Sequence, residues 1–201
     1  MSRHHNINTT LKENKRKRVI LSLFLLFFII FLIYLFMVLQ FQFLYIKDLR
    51  ESEVTALFPL REEEEFTIRY THSVDLLPIY EIYFSKDKHI YLRETHFYNF
   101  GAGMGLLEER GTYIEKNGML KIRDINEKIE PFILRTGKVA KHQLLYREIN
   151  FPLATYFGPD AKLNFELRNI SVWTALRDLL LMCNKAQESG VRIEHSEYEK
   201  R

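Results

Sequence analysis

The sequence predicts a mainly β exported domain, an antiparallel β-sandwich or barrel with a C-terminal helix, preceded by one N-terminal transmembrane helix. Three observations predict this architecture. Residues 19–39 form an uninterrupted apolar run, residues 66–168 contain several short strand-like segments without a helical pattern between them, and residues 171–185 show helical spacing. Many short strands separated by turn residues are typical of antiparallel sandwiches and barrels.

The charge of the 201-residue chain is unevenly distributed. Residues 1–18 contain six basic residues and one acid, so this leader carries +5 and leaves −2 for the rest of a chain whose total is +3. The basic character therefore belongs to the leader, and we expect no nucleic-acid partner. Cys183 is the single cysteine, which excludes an internal disulfide and any multi-cysteine metal site.

Residues 19–39 predict a membrane anchor. These 21 residues carry no charge, and a helix of that length spans the ~30 Å hydrocarbon core of a bilayer. The basic run Lys15–Arg18 before them predicts a cytoplasmic leader, a single pass through the cell membrane and an extracytoplasmic C-terminal domain. A cleaved signal peptide is the alternative, but its apolar region is shorter and ends in small residues. Here the run is followed by Gln40 and Phe41.

Residues 40–65 are predicted as an interfacial segment and connector, because aromatic and then charged residues replace the apolar run. The β-rich domain is predicted over residues 66–185, followed by a polar tail over 186–201. Within this domain, polar and apolar side chains alternate with the period of a half-buried strand. Asn117-Gly118 indicates a type I′ hairpin. The predicted strands are 66–74, 79–84, 89–97, 112–115, 119–123, 132–135, 143–147 and 162–168.

The last predicted element is a helix over residues 171–185 that begins at a Ser171 cap. We expect its apolar stripe to pack on the sheet, with Trp173 and Cys183 in the core. The stripe consists of Val172, Trp173, Leu176, Leu179, Leu180 and Cys183.

Two blocks of sequence contain residue types that are common in catalytic and ligand-binding sites. The first reads Arg69-Tyr70-Thr71-His72-Ser73-Val74 and continues through Pro78 to Glu81. The second reads Glu94-Thr95-His96-Phe97 and continues through Phe100-Gly101-Ala102-Gly103-Met104-Gly105.

Together and in this order, the two blocks resemble the bacterial family catalogued as domain of unknown function 1850 (DUF1850), over roughly residues 66–168. The chain departs from the family pattern at Met104-Gly105, where a proline often follows, and in its longer tail. The resemblance implies a small exported or anchored protein, often encoded beside tripartite TRAP-type solute transporters of the TAXI group. It implies no established activity.

The same residues allow two physical interpretations. In the first, Glu81 or Glu94 pairs with Arg69 or His72 in a buried polar network, because an unpaired buried carboxylate is costly. In the second, Glu94 and His96 lie on one strand face and ligate a metal together with Glu81 or His72. Ser73 points away from His72 on a regular strand, so the two do not form a nucleophile and base.

The glycine-rich loop after the second block predicts either a plain turn or a contact with a small anionic ligand. Glycines let the backbone approach a ligand and turn its amides toward an anion. Positive charge would come from the neighbouring strands. The predicted ligand-binding residues are Arg69, His72, Glu81, Glu94, His96, Gly101 and Gly103.

Three functions follow from these interpretations. The leading one is a non-enzymatic, membrane-anchored accessory or binding domain, whose partner is a solute transporter, the transporter's binding protein or a small anionic ligand. The second is a metal-dependent or acid–base hydrolase that uses His72, Glu81, Glu94 and His96. The third is a structural envelope protein. The leading interpretation expects no catalytic residue, no bound metal and no cofactor.

Overall fold

The computed structural model shows a mainly β protein with antiparallel sheets, an N-terminal apolar helix and a helix near the C-terminus. The chain divides into two compact units. One comprises residues 1–40 with 171–173, and the other comprises residues 41–170 with 174–201. The residues that the structure describes are 3–51, 55–99, 111–192 and 194–195.

Helix α1 (Arg3–Val38) contains the predicted apolar span. Its segment Arg16–Val38 is 23 residues long, apolar enough to cross a membrane and entirely exposed. A signal sequence near the N-terminus also satisfies these criteria of length and apolar composition. The structure therefore confirms an N-terminal apolar helix, and retention of that helix as an anchor stays a prediction.

Among the described residues, the strands form two antiparallel sheets. The four-stranded sheet has the order β2-β1-β12-β9, and the larger sheet has the order β13-β11-β10-β3-β4-β5-β7-β6, with β8 paired to β5. Three strands, β5, β7 and β9, have the bounds that alternation predicted. The strands are β1 (Gln40–Asp48), β2 (Thr55–Pro59), β3 (Glu65–Thr71), β4 (Pro78–Lys86), β5 (His89–Phe97), β6 (Thr112–Lys116), β7 (Met119–Arg123), β8 (Glu127–Lys128), β9 (Phe132–Arg135), β10 (Gln143–Tyr146), β11 (Ile149–Phe151), β12 (Lys162–Ser171) and β13 (Glu194–His195).

One buried cluster contains side chains from both sheets. Leu44 of β1, Ile68 of β3 and Leu163 of β12 are all fully buried in it. The short helix α2 (Leu153–Tyr156) adds Leu153 and Tyr156 to the same cluster. Neither strand order closes on its first strand among the described residues, so no closed barrel is observed, and the predicted sandwich stays a prediction.

The predicted hairpin is confirmed at Asn117-Gly118. The backbone φ angles are 55° at Asn117 and 72° at Gly118, and a type I′ turn requires positive values at both positions. The turn joins β6 to β7, whose register pairs Lys116 with Met119.

Residues 40–65 differ from the predicted interfacial segment and connector, because they contain strands β1 and β2. Leu44 and Ile46 of β1 and Ala56 of β2 are completely buried. The aromatic residues that suggested a membrane interface are partly core residues: Phe43 and Tyr45 are buried as well. The mixture of aromatic and polar residues in β1 is typical of a membrane interface as well as of a half-buried strand, so composition alone did not distinguish the two.

Helix α3 (Val172–Glu188) extends close to the predicted bounds but turns a different face inward. Its buried residues are Ala175, Asp178 and Met182. The prediction that Trp173 and Cys183 lie in the core is wrong: Trp173 is 55% exposed and Cys183 is also exposed. The inward face is partly polar because Asp178 accepts a hydrogen bond from the Tyr45 hydroxyl over 3.3 Å. The apolar stripe is therefore real, but it does not mark the packed face.

A β-bulge in β5 sets the two faces of the larger sheet. Leu92 pairs with Tyr83 and Glu94 pairs with Ile82, so Arg93 is the extra residue between them. Leu92 and Thr95 consequently share the face toward the buried clusters, which we call the inner face. Glu94 and His96 lie on the opposite, outer face.

Candidate functional site

A row of polar side chains crosses the outer face of the larger sheet. The register places one residue from each of five strands directly opposite the next. Because directly opposed residues share a sheet face, their side chains neighbour one another. The row includes two of the predicted binding residues and carries the positive charges of an arginine and a lysine. Its members, from β10 to β7, are Gln143, Arg69, Tyr80, His96 and Lys121.

Arg69 is the cation of this row that has no carboxylate partner among the described residues. Its Nη1 donates to the Gln143 side-chain oxygen over 3.0 Å, and its guanidinium carbon lies 5.9 Å from the centre of the Tyr80 ring. Arg93 is the other half-buried arginine of the described chain. It pairs with Glu63 at 3.1 Å and with Glu65 at 2.9 Å. The two arginines therefore differ in charge compensation.

A cavity of about 260 Å³ opens beside the Gln143 end of the row. Asn150 lies on the same face, because Leu145 pairs with both Asn150 and Thr67. The Asn150 side-chain oxygen is buried and has no hydrogen-bond partner in the described chain. The cavity thus combines one unsatisfied acceptor with an exposed cation, Arg192. Its lining residues are Gln143, Asn150, Pro152, Thr155, Gly190, Val191 and Arg192.

Glu94 and His96 form a hydrogen-bonded pair on the outer face, as their spacing of two residues allows. The His96 Nε2 lies 2.8 Å from one Glu94 oxygen, and the Arg123 Nε donates to the other over 3.0 Å. The hydrogen bond from His96, and then Arg123, lowers the pKa of Glu94 against the opposing effect of burial. Glu94 is thus held as a carboxylate, and its partners are His96 and Arg123 rather than the expected Arg69 or His72.

Glu81 lies on the inner face, away from Glu94 and His96. The Tyr83 hydroxyl donates to one Glu81 oxygen over 2.6 Å and the Tyr70 hydroxyl to the other over 3.1 Å. Burial raises the pKa of Glu81, although both tyrosine bonds oppose that shift. Thr95 lies directly opposite Glu81, and its hydroxyl is buried without a hydrogen-bond partner in the described chain. Glu81 is a half-buried acid at the edge of the core, and both of its oxygens accept tyrosine hydroxyls.

His72 lies outside the strand that was predicted to contain it, because β3 ends at Thr71. Its backbone N–H donates to the Leu77 carbonyl over 2.9 Å, and its carbonyl accepts from Leu76 over 3.0 Å. Its Nδ1 lies 3.3 Å from Asp75. These contacts form the turn between β3 and β4, so His72 has a structural role there.

The structure therefore separates the predicted site into three places. Arg69, Glu94 and His96 share the outer face, Glu81 lies on the inner face, and His72 lies in a turn. The metal or hydrolase set is not assembled, and no three potential metal-ligating side chains cluster in the described part of the chain. Gly101 and Gly103 fall outside the described residues.

The sequence analysis did not identify the residues that form hydrogen bonds with the predicted site residues. Gln143 and Arg123 reach the predicted residues from other strands, at sequence separations that carry no motif, and Tyr83 lies two residues from Glu81 on the same face of β4. His142 is buried, with its ring centre 5.3 Å from that of Tyr70, and burial lowers its pKa. Of the residues that complete these contacts, Tyr70 was the one that the first sequence block already contained.

Comparison with known proteins confirms the resemblance and adds no activity. Residues 66–153 match the family model described as "Domain of unknown function (DUF1850)". The match begins in β3 and ends at the start of α2, so it covers the strands that carry Arg69, Glu81, Glu94 and His96. No curated protein and no solved structure matches the chain.

Proposed function

From the family match over residues 66–153 and the geometry of the outer face, we propose that this protein is a membrane-anchored, extracytoplasmic binding domain. Its ligand is a small molecule or partner group that bears a carboxylate. The observation that carries the proposal is the half-buried guanidinium of Arg69, which no carboxylate of the described residues neutralises.

The chemistry of arginine supports this choice of ligand. A guanidinium presents N–H donors in a planar fork that matches a carboxylate, and charge-assisted pairs of this kind are stronger than neutral hydrogen bonds. Gln143 uses one of the Arg69 donors and fixes the orientation of the group. The negative charge of Glu94 on the same face is already paired with Arg123, and its other oxygen is hydrogen-bonded to His96. An incoming carboxylate would therefore meet its uncompensated cation at Arg69.

The cavity beside Gln143 narrows the class of ligand. The Asn150 oxygen needs a hydrogen-bond donor, since an unsatisfied buried acceptor costs about 1–3 kcal/mol. A ligand with a hydroxyl or amide near its carboxylate supplies that donor. We therefore favour a small hydroxy or amide carboxylate over a simple carboxylate.

Calorimetric titration of the full-length protein in detergent micelles tests the site. Lactate should bind more tightly than propionate, and the neutral propionamide should not bind. Arg69→Gln should weaken binding by about 1.5–3 kcal/mol, or roughly ten- to a hundredfold in Kd. Arg69→Lys should have an intermediate effect, because it keeps the charge and loses the fork. Arg135→Gln, at an exposed arginine of β9, is the matched control and should leave binding unchanged. Equal binding by the protein and its Arg69→Gln variant contradicts the site.

The membrane placement is tested separately by cysteine labelling in intact cells. In a Cys183→Ser background, a cysteine replaces either Ser73, which is exposed in the β3–β4 turn, or Ser2 in the leader. A membrane-impermeant maleimide should label position 73 and spare position 2, because the basic leader is expected to stay in the cytoplasm. The reverse pattern contradicts the proposed orientation. A shortened protein that lacks the leader would indicate a cleaved signal sequence.

The transporter as partner rests on the family resemblance alone. Association with a TAXI-type solute transporter predicts that deletion of the gene lowers uptake of the transported solute while the transporter itself remains at its normal level. Unchanged uptake contradicts the association and leaves the carboxylate site open to test.

A further inference from the structure

Helix α3 exposes an apolar surface, and its first two residues belong to the same compact unit as α1. Trp173 is 55% exposed, Leu176 46%, Leu180 67% and Leu181 54%. We propose that this surface is embedded in the outer boundary of the same bilayer that α1 spans, so that the first three turns of α3 form a second, interfacial attachment. This inference rests on the membrane placement proposed above.

The exposed residues form one side of an amphipathic helix. Trp173, Leu176 and Leu180 recur at intervals of three and four residues, which puts them on a common face. The residues that pack against the domain, Ala175 and Met182, lie on the opposite side. The inner side of the helix therefore packs against the domain, and the exposed apolar face takes no part in that packing.

The helix begins where the apolar span ends. The backbone N–H of Val172, the first residue of α3, donates to the carbonyl of Leu39 over 3.3 Å. Leu39 is the last residue of the predicted 21-residue apolar run. If that run crosses the hydrocarbon core, this hydrogen bond fixes the start of α3 at the depth where the polar interface begins. Tryptophan is enriched at that depth, and Trp173 occupies the second position of α3.

The composition of the exposed face changes along α3. The large exposed apolar residues end at Leu181, and Cys183 is also exposed. Arg177 is the exposed charged residue among them, and it pairs with Asp178 at 2.8 Å. Beyond them the exposed positions are Asn184, Gln187 and Glu188. A bilayer explains this gradient, because apolar residues are required only along the part of the helix that is close to the span. Interfacial helices bury such a face at the boundary between headgroups and acyl chains.

Tryptophan fluorescence tests the proposal, since Trp173 is the only tryptophan of the chain. The full-length protein is reconstituted into phosphatidylcholine vesicles with or without brominated acyl chains. We expect the emission of Trp173 to be blue-shifted, strongly quenched by brominated lipid and little affected by aqueous iodide. Three variants in a Trp173→Phe background move the reporter. Leu180→Trp samples the middle of the face, Gln187→Trp its polar end, and Leu32→Trp the span itself.

The proposal expects brominated lipid to quench Leu180→Trp and to spare Gln187→Trp, which iodide should quench instead. Iodide quenching of Leu180→Trp without lipid quenching overturns the interfacial helix. Protection of Leu180→Trp from both quenchers also overturns it, because a protein surface then covers the face. Leu32→Trp separates the two proposals. If brominated lipid does not quench it, the anchor itself fails; if lipid quenches it but not Leu180→Trp, only the interfacial helix fails.

Discussion

Removing the Tyr83 hydroxyl tests whether Glu81 is a half-buried acid held by two tyrosines. Tyr83→Phe deletes the 2.6 Å hydrogen bond to Glu81 and leaves the 3.1 Å bond from Tyr70 in place. Phenylalanine keeps the ring, whose centre lies 5.4 Å from that of Phe66 and 4.6 Å from that of Phe132. The substitution therefore changes one hydrogen bond and preserves the apolar packing.

The cost of Tyr83→Phe should depend on pH. Burial raises the folded pKa of Glu81 above its ordinary value of 4.5. The group therefore contributes stability that is fully present below that value and is lost as pH rises through the folded pKa. Removing a donor to the carboxylate raises the folded pKa further and increases this loss. We expect a cost of about 0.5–1.5 kcal/mol in acid, where the bond joins neutral groups, and about 1.5–3 kcal/mol above the folded pKa.

Urea titrations of residues 40–201 in acid and in mildly alkaline solution measure these costs as free energies of unfolding. Tyr91→Phe is the matched control, because Tyr91 also lies against a ring, Phe84 at 5.5 Å, and its hydroxyl has no hydrogen bond in the described chain. Glu81→Gln should remove the pH dependence that this carboxyl contributes. An equal loss of unfolding free energy for Tyr83→Phe at both pH values would contradict the proposed ionisation of Glu81 between them.

Two further substitutions test other parts of the sheet. Glu94→Gln should lower the free energy of unfolding by about 1–3 kcal/mol at neutral pH. The cost should be smaller in acid, because His96 and Arg123 lower the folded pKa of Glu94, and the stability that the carboxylate contributes is lost as pH falls through that pKa. Urea titration at both pH values measures the cost, and a cost that grows in acid contradicts the prediction. Gly118→Ala should cost about 1–2 kcal/mol because φ is +72° there, whereas Gly137→Ala meets only the Ala140 side chain at 3.6 Å and should change the midpoint little. Equal midpoints for the two alanine variants would contradict the turn assignment.

The sequence predicts the local features of the fold well. Alternation locates the bounds of β5, β7 and β9, and the Asn117-Gly118 pair identifies its hairpin, because these features depend on neighbouring residues. The apolar span of α1 is equally local. Each of these predictions needs only the period or the turn chemistry of a short segment.

The features that the sequence does not predict depend on distant partners. The stripe of α3 is visible from Trp173 to Cys183, but periodicity does not say which face of a helix is buried. The bulge at Arg93 reverses the faces of Leu92 and Glu94, and no local residue pattern announced it. The carboxylate partners differ for the same reason: Arg123 reaches Glu94 from β7, and Tyr83 reaches Glu81 across two residues on one face.

Arg69 is a half-buried cation that no carboxylate of the described residues neutralises, and the guanidinium signals of the protein report whether a ligand carboxylate binds there. Nitrogen-15 spectra of the arginine Nε–H groups are recorded while propionate is added to the full-length protein in micelles. We expect the Arg69 signal to shift and saturate, whereas the signal of Arg93, already paired with Glu63 and Glu65, should not move. An Arg69 signal that stays in place while those of exposed arginines such as Arg61 and Arg135 shift would contradict binding of the carboxylate at Arg69.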